Sequence, residues 1–456
     1  MRRTLALALV LLAPAMARAA PPAALPLDTG WELSFDRASW QETTVPGVFD
    51  GTPDPEDFEG RVGFYRLTFQ GPAAAAGYDW ALRFETVRRV AEVSLNGVVI
   101  GTNDEPYLPF ELPATSLRLA AENVLEVRVD GRKGDEPREG WWNWNGIIRP
   151  VTLVPRGRVA LEHPALLTKE LTPEAATLLF DGWVVNRSDV PLSPEVAIAL
   201  RAPGGEETRV LEGAGELAPG ERRRVTFEVG VGDPRPWSPD QPALYDATID
   251  AVVDGNVEQR ETQRTGIRTV RVVDGALELN GRPVQLSGAS IHEDVEGRGP
   301  ALTNEDIERI VGDLEALGAN VTRSHYLLDE RLLDRLDEAG ILVWNQAPIY
   351  HRDRLLETAE QRIAALDTLR GTVLGARAHP SVLTHAVANE LSVVPDEVPG
   401  TQAYVDAARR LASDLDPTLP PSIDMLSYPD YPRAETYARF PLLGINSYFG
   451  WYRGKD

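Results

Sequence analysis

The pair Asn389-Glu390 carries the residue types in this sequence that could most directly do chemistry. A glutamic acid held in a cleft can protonate a glycosidic oxygen, and the asparagine before it can bind the 2-hydroxyl of a sugar. A lone Asn-Glu pair is more often a helix start or a solvated loop. Its interpretation therefore depends on where the fold places it and on which polar groups lie beside it.

Other polar side chains follow short apolar runs in the last part of the chain. They are His292-Glu293-Asp294, Arg323-Ser324-His325-Tyr326, Asn345-Gln346, and Asn446 with Tyr448. Carboxylate, amide, imidazole and phenol groups hydrogen-bond sugar hydroxyls and carry out acid–base chemistry. His292 and His325 could equally be structural histidines, and Arg323 could simply pair with a carboxylate to hold neighbouring strands together.

No cofactor or metal site is predicted from the motifs. His292 and Glu293 are adjacent rather than four residues apart, and His379-Pro380 is interpreted as a helix stop. The sequence contains no Gly-x-Ser-x-Gly, phosphate loop or dinucleotide fingerprint. It also contains no Cys, which excludes disulfides and thiolate chemistry.

From about residue 273 the sequence alternates short apolar runs with amphipathic helical patterns, which predicts a parallel sheet and favours a (β/α)₈ barrel. The predicted strands are 284–287, 320–323, 341–344, 382–387, 422–425 and 442–445, and the predicted helices are 304–317, 329–339, 355–373 and 402–414. Barrel enzymes place catalytic residues at the carboxyl ends of strands. Asn389-Glu390 falls at such an end, so we favour its chemical interpretation.

Two all-β regions precede the barrel. Residues 26–155 contain short strand-like runs and the turn Asn96-Gly97 between apolar flanks, which predicts a jelly-roll sandwich. Residues 156–272 are typical of an immunoglobulin-like sandwich without a disulfide. We expect the cluster Trp141-Trp142-Asn143-Trp144 to pack a domain junction, with sugar stacking as the alternative.

The amino terminus has the layout of a secretory signal peptide. Arg2 and Arg3 precede an apolar run over residues 5–12, and Ala17-Arg18-Ala19 suits cleavage after Ala19. We expect residues 1–19 to be removed and the protein to be exported to the periplasm or the medium, with no membrane contact after cleavage; an uncleaved anchor is the alternative. The net charge of −23 argues against binding nucleic acid.

The chain resembles glycoside hydrolase family 2, the β-galactosidase, β-glucuronidase and β-mannosidase group, over essentially everything after residue 19. The motifs that carry the resemblance are residues 64–66, 90–97, 141–151, 292–294, 323–326, 379–390 and 446–452. The resemblance implies retaining hydrolysis of terminal β-linked sugars. It also implies a jelly-roll sugar-binding domain, an immunoglobulin-like domain and a barrel.

The resemblance also assigns roles to single residues. Glu390 would be the general acid/base, Asn389 would bind the 2-hydroxyl, and Tyr448 would hydrogen-bond the nucleophile. The residues that would line the sugar pocket are His292, His325 and Asn446, with Arg323 beside them. The family's nucleophile is another Glu on strand seven, after Tyr452, whereas the given sequence ends at Asp456. We therefore expect this sequence to be a fragment of a longer enzyme.

The sequence thus predicts a retaining exo-β-glycosidase, β-galactosidase-like or β-glucuronidase-like, with only the first six barrel strands present. The alternative is a catalytically inactive exported carbohydrate-binding protein, and a purely structural exported protein ranks third. Gly140 stands where the galactosidase and glucuronidase branches place an Asp, so the sugar stays undetermined. The sequence leaves open whether the protein forms a homo-oligomer.

Overall fold

The structure is a computed structural model that describes residues 20–49, 60–133, 143–350, 356–392, 394–427 and 434–448. The predicted signal peptide and Trp141-Trp142 lie outside these residues. Within them, no helix is both long and apolar enough to cross a membrane.

The first part of the chain is a jelly-roll β-sandwich. Its strands are β1 (Leu25–Pro26), β2 (Trp31–Ser34), β3 (Gln41–Glu42), β4 (Val62–Gln70), β5 (Asp79–Phe84), β6 (Val87–Arg88), β7 (Val90–Leu95), β8 (Val98–Asn103), β9 (Phe110–Pro113), β10 (Glu122–Asp130), β11 (Gly146–Ile147) and β12 (Val151–Arg156). A six-stranded sheet, β3-β2-β4-β10-β7-β8, packs on a four-stranded sheet, β1-β12-β5-β9, and β11 pairs with β6. The apolar core between the sheets includes Trp31, Leu82 and Val127.

The sequence signals for this sandwich are local and strong. In β4 buried and half-buried residues alternate, as the period-two pattern predicts. The predicted hairpin joins β7 to β8 through Asn96 and Gly97, which have φ angles of 53° and 79°. Both values fall in the left-handed region that a two-residue type I′ turn needs, so the prediction at Asn96-Gly97 is confirmed.

The second part is an immunoglobulin-like sandwich of two antiparallel sheets. Its strands are β13 (Val159–Leu171), β14 (Ala175–Asn186), β15 (Glu195–Arg201), β16 (Glu207–Gly213), β17 (Arg222–Gly232), β18 (Tyr245–Val253) and β19 (Asn256–Thr265). The sheet orders are β13-β14-β17 and β16-β15-β18-β19. The sequence did not identify β13, which contains Pro164 and a register shift after Glu162. It also missed β19, which is mostly polar and forms because it pairs with β18.

The last part begins with a small antiparallel sheet and continues as six parallel strands alternating with helices. The antiparallel strands are β20 (Val270–Val273), β21 (Ala276–Leu279) and β22 (Arg282–Pro283); the parallel strands are β23 (Gly288–Ser290), β24 (Val321–Arg323), β25 (Leu342–Gln346), β26 (Val382–Asn389), β27 (Pro421–Ser427) and β28 (Leu442–Ser447). The helices are α1 (Asn304–Ala316), α2 (Glu330–Ala339), α3 (Ala359–Ala376) and α4 (Pro399–Leu415), with 3₁₀ turns at Pro395–Glu397 and Tyr437–Arg439. The parallel strands follow one another in chain order, as in a (β/α)₈ barrel.

The ends of α1 and α2 agree with the sequence signals, whereas α3 begins four residues after its predicted start, α4 begins three residues before its predicted start, and the first barrel strand is displaced. Thr303 and Asp306 form the expected capping box of α1, and Gly340 ends α2 at φ 71°. The prediction of strand one at 284–287 is wrong, because the parallel strand is β23, four residues later. Residues 284 and 286 do pack against the barrel core, so their apolar character signalled burial rather than strand pairing.

Trp144 packs at the junction of the first sandwich with the barrel, as predicted for its cluster. It is buried, and a Cβ on Gly299 of the barrel would lie 2.5 Å from its indole ring. The second sandwich is joined to the barrel by the buried Arg377, whose Nη1 lies 3.0 Å from the Asp181 carboxylate. Close packing at both junctions therefore orients the barrel against the two sandwiches.

His379 follows the end of α3, consistent with the predicted helix stop, and it also forms a buried ion pair. Its Nδ1 lies 2.7 Å from Oδ2 of Asp337 on α2, and Oδ1 of Asp337 accepts from Ser381 N at 2.9 Å. Within the described ranges, Asp334, Asp337 and His379 are the group whose ligand atoms lie close enough together for a metal. Since Asp337 already accepts from both neighbours, we interpret the group as an ion pair that ties α2 to the start of β26.

This ion pair should make stability depend on pH. Burial lowers the pKa of His379, but Asp337, Asp334 and Glu330 outweigh it, so the folded-state pKa lies above the ordinary value. The stabilisation is therefore complete below about pH 6.5 and is lost as the pH rises through the folded-state pKa. We expect the thermal midpoint to fall between about pH 6 and about pH 9 by more in the wild type than in His379→Gln. Equal falls in the two proteins would contradict the assignment.

Candidate active site

Glu390 lies at the carboxyl end of β26, in the mouth of the curved parallel sheet. Its amide donates to the Asp424 carbonyl at 2.8 Å, and the amide of Asn389 donates to the Ile349 carbonyl at 2.8 Å. These bonds hold Glu390 at φ 50°, in the left-handed region that residues other than glycine rarely occupy. Glu390 is only 8% exposed, so the turn presents a carboxyl group within a largely enclosed site.

Two side chains from the end of β28 hold the Glu390 carboxyl group. Asn446 Nδ2 donates to its Oε1 at 2.7 Å. The Tyr448 hydroxyl, which the resemblance assigned to the nucleophile, here donates to the same oxygen of Glu390 at 2.5 Å. Asn446 Nδ2 also donates to Oδ1 of Asn389 at 2.7 Å. Both donors therefore converge on one oxygen of the Glu390 carboxyl group.

Arg323, at the end of β24, orients Asn389 from the other side. Its Nη2 donates to Oδ1 of Asn389 at 2.8 Å, and its Nε and Nη2 donate to Oδ2 of Asp424 at 3.1 and 3.0 Å. Oδ1 of Asn389 therefore accepts from both Arg323 and Asn446. Its Nδ2, pointing away from these two donors, is placed to donate to a ligand.

Asp424 and Gln346 complete the network beneath these groups. Gln346 Nε2 donates to Oδ2 of Asp424 at 2.6 Å, and Trp344 Nε1 donates to Oδ1 at 3.0 Å. Burial raises the pKa of the Asp424 carboxyl, and the Arg323 guanidinium opposes that rise. The sequence interpretation passed over Asp424, because it lies inside the predicted strand 422–425 rather than after it.

His292 and His325 lie next to each other beside this network, with ring centroids 5.5 Å apart. His325 Nδ1 lies 2.7 Å from Oε1 of Gln346, which can only accept, so this nitrogen carries the proton. Burial lowers the pKa of His292, which favours its neutral form. The sequence-predicted residues Asn389, Glu390, Arg323, His325, Asn446 and Tyr448 are thus joined by direct hydrogen bonds or through Gln346, and the ring of His292 lies beside that of His325, inclined to it by 35°.

Residues of the first sandwich pack against this mouth. Tyr107 stacks on Tyr326 with ring centroids 5.4 Å apart, and its hydroxyl lies 3.2 Å from that of Tyr350. The Arg88 guanidinium lies 4.3 Å from the centroid of the Tyr107 ring. Tyr326 in turn accepts from the amide of Glu293 at 3.0 Å. No pattern near these residues in the sequence indicates that they meet.

Two residues that the sequence placed in the mouth lie elsewhere. Glu293 is buried against Arg149 of the first sandwich, whose Nη2 lies 2.8 Å from its Oε2. Asn345 contacts His385, whose other ring nitrogen lies 3.2 Å from Asp416. Asn345 lies inside β25, where neighbouring side chains point to opposite faces, so Gln346 faces the mouth and Asn345 does not. Glu293 lies in the segment after β23, and its ion pair with Arg149 keeps it out of the mouth.

A cavity of about 250 Å³ opens beside the network. Its polar lining includes Arg323, Asp424, Asn446 and Ser290, and Trp344 supplies a flat apolar wall. Arg323, Asp424 and Asn446 join this cavity to the hydrogen-bond network that holds Asn389 and Glu390. The described site therefore combines a carboxyl group, an amide and two imidazoles, and these groups can hydrogen-bond a polyhydroxylated ligand.

Comparisons with known proteins agree with this arrangement. A family model described as "Glycosyl hydrolases family 2, TIM barrel domain" matches residues 270–455, and one described as "Glycosyl hydrolases family 2" matches residues 167–268. A beta-galactosidase of Bacteroides ovatus is 30% identical over 342 residues, a match that covers 73% of this chain and 40% of that protein. A beta-glucuronidase of Paenibacillus borealis is 24% identical over 470 residues, covering 94% of this chain and 75% of that protein.

The same fold occurs in solved structures. The crystal structure of a Bacteroides uniformis beta-glucuronidase matches with a TM-score of 0.82 and 24% identity, covering 95% of this chain and 56% of that chain. The present chain thus spans less than half of the Bacteroides ovatus relative and little more than half of this structural neighbour. The likeness extends over both sandwiches and the parallel strands.

Proposed function

Because this chain belongs to glycoside hydrolase family 2, we propose that it is a retaining exo-β-glycosidase that removes terminal β-linked sugars, β-galactosides or β-glucuronides. The observation that carries the proposal is the carboxyl group of Glu390, with two donors on Oε1 and an oriented Asn389 amide beside it. Its relatives include a beta-galactosidase and a beta-glucuronidase, which supports a glycoside substrate but does not choose between the two sugars.

In the first step, the Glu390 carboxyl group gives its proton to the glycosidic oxygen while the bond from that oxygen to the anomeric carbon breaks. The aglycone leaves as an alcohol, and a second carboxylate forms an ester with the anomeric carbon. In the second step, the ionised Glu390 takes a proton from water as the water oxygen attacks the same carbon and the ester bond to the second carboxylate breaks. The sugar leaves with its β configuration, and both carboxyl groups return to their starting states.

Asn389 is proposed to donate from Nδ2 to the sugar 2-hydroxyl, a contact that strengthens as charge develops at the neighbouring anomeric carbon. Asn446 and Tyr448 stabilise the ionised form of Glu390 between the two steps, because both donate to Oε1. His292 and His325 are proposed to bind other hydroxyls of the sugar.

The mechanism requires a second carboxylate about 5–5.5 Å from Glu390. Asp424 is a poor candidate, since Arg323, Gln346 and Trp344 all donate to it. We propose that the attacking carboxylate is a Glu other than Glu390. Trapping with a 2-deoxy-2-fluoro-β-glycoside, followed by peptide mapping, should identify it as the labelled residue.

The reaction itself is tested with nitrophenyl β-galactoside and β-glucuronide and with their α anomers as controls. We expect hydrolysis of a β substrate only, and proton NMR should show the β anomer of the sugar as the first product. Release of the α anomer first would exclude a retaining mechanism. Saturable sugar binding with no turnover of any substrate would instead favour the carbohydrate-binding alternative.

We also propose export of the protein, on the basis of the charged, apolar and small-residue segments of residues 1–19. Mass spectrometry of the protein recovered outside the cytoplasm should find Ala20 as the first residue. A protein that retains Met1 and stays with the cell membrane would favour the uncleaved anchor.

A further inference from the structure

We propose that Asp424 is a positioning residue that fixes the direction of the Asn389 amide through Arg323. In this way it determines how strongly the enzyme depends on the sugar 2-hydroxyl. The inference rests on the proposed function for its kinetic consequences, but its structural consequence can be tested separately. Asp424 is not one of the residues that the sequence motifs singled out.

The Asp424 carboxylate accepts hydrogen bonds from Arg323, Gln346 and Trp344, and we call it the anchor of the site. It is 2% exposed, and its Oδ2 accepts from Arg323 Nε, Arg323 Nη2 and Gln346 Nε2 at 3.1, 3.0 and 2.6 Å. Its Oδ1 accepts from Trp344 Nε1 at 3.0 Å. With four hydrogen bonds from three side chains, the carboxylate can adopt only one orientation.

This anchor sets the direction of Arg323. The guanidinium is planar and rigid, so fixing Nε and Nη2 on Asp424 also fixes the direction in which Nη2 reaches Asn389 Oδ1, at 2.8 Å. Gln346 reinforces the arrangement, because its Nε2 is held by Asp424 and its Oε1 then accepts from Arg323 Nη2 at 3.2 Å. If Asn389 turned its amide over, Nδ2 would face the donors of Arg323 and Asn446.

The neighbouring strand leaves space for the Asp424 carboxylate in this orientation. A Cβ on Gly444, in the neighbouring strand β28, would lie 2.0 Å from Oδ1 of Asp424. The glycine therefore makes room for the carboxylate, and any larger residue would displace it. A substitution at Gly444 is therefore a second way to displace Asp424, and it removes none of the polar groups of the network.

The experiment compares Asp424→Asn with wild type on a β-glycoside and its 2-deoxy analogue, in the protein expressed from its complete gene. The Asn variant keeps the size of the side chain but presents an NH₂ group to donors. We expect kcat/KM for the full sugar to fall by about 100-fold or more and for the 2-deoxy sugar by less than about 5-fold, since a well-oriented contact to a substrate is worth a factor of that order. Gly444→Ala should likewise lower the ratio of kcat/KM for the full sugar to kcat/KM for the 2-deoxy sugar.

Asp250→Asn is the matched control, since Asp250 is a buried aspartate that accepts two bonds from Arg260, in the second sandwich. It should leave the ratio between the two substrates unchanged. An equal loss on both substrates in Asp424→Asn would overturn the inference, because a general loss of folded protein predicts that result.

A crystal structure of Asp424→Asn decides the matter independently of activity. We expect Arg323 Nη2 to leave Oδ1 of Asn389 and the amide to change direction. If Arg323 stays within hydrogen-bonding distance of Asn389, the inference is wrong, whatever the kinetics. If wild type hydrolyses no glycoside, the proposed function fails, and the crystal structures of Asp424→Asn and Gly444→Ala still confirm or overturn the positioning role.

Discussion

Replacing Glu390 by Gln is expected to lower kcat for alkyl β-glycosides by about 10³-fold, while an activated dinitrophenyl β-glycoside loses far less in the bond-breaking step. The amide cannot protonate the leaving oxygen, and a dinitrophenolate needs no such help. Gln has the same shape as Glu, and its Oε1 can still accept from Asn446 and Tyr448. The loss therefore isolates proton transfer from the geometry of the site.

Stopped-flow measurement of the aglycone burst and steady-state turnover on both substrates separates the two steps. Glu360→Gln, an exposed glutamate on α3, serves as control and should leave both rates unchanged. A small anion such as azide should restore turnover of Glu390→Gln on the activated substrate, because it attacks the intermediate without general-base help. Equal losses on both substrates would rule out Glu390 as the acid/base.

Arg149→Met is expected to destabilise the protein by about 3–5 kcal/mol, the largest effect on stability that we anticipate. Arg149 and Glu293 are 5% and 2% exposed, and their Nη2 and Oε2 atoms lie 2.8 Å apart. Nη2 also donates to the Leu327 carbonyl at 2.9 Å. Met fills much of the space but leaves the Glu293 charge buried without its partner, in a site where burial already raises its pKa.

Thermal and urea unfolding of the single variants and of Arg149→Met/Glu293→Gln measures this coupling. The double variant should recover much of the lost stability, because removing both charges removes the unpaired buried group. Activity should also fall in Arg149→Met, since the backbone amide of Glu293 donates to the Tyr326 hydroxyl, which in turn contacts Nδ1 of His292. If the free energy of unfolding of a single variant lies within about 1 kcal/mol of the wild-type value, the ion pair does not hold the first sandwich to the barrel.

Much of the fold could be predicted because its signals are local. Period-two alternation in β4, the turn at Asn96-Gly97 and the capping box at Thr303 each depend on a few adjacent residues. The polar β19 and the interrupted β13 lack such signals and form because a neighbouring strand pairs with them. For the same reason, the apolar residues before β23 indicated burial without fixing where the parallel strand begins.

The residue pattern alone was enough to predict that Asn389-Glu390, Arg323 and Asn446 meet at one edge of a parallel sheet, since each follows or ends a strand and parallel strands share that edge. The three-dimensional packing was needed to show which neighbouring side chain faces inward, as Gln346 does and Asn345 does not. It also decided the partners that come from far along the chain: Arg149 reaches Glu293 across 144 positions, and Arg323 reaches Asp424 across 101. Periodicity is a property of a few consecutive residues, whereas an ion pair between distant residues depends on how whole domains and strands pack, and no local pattern encodes that.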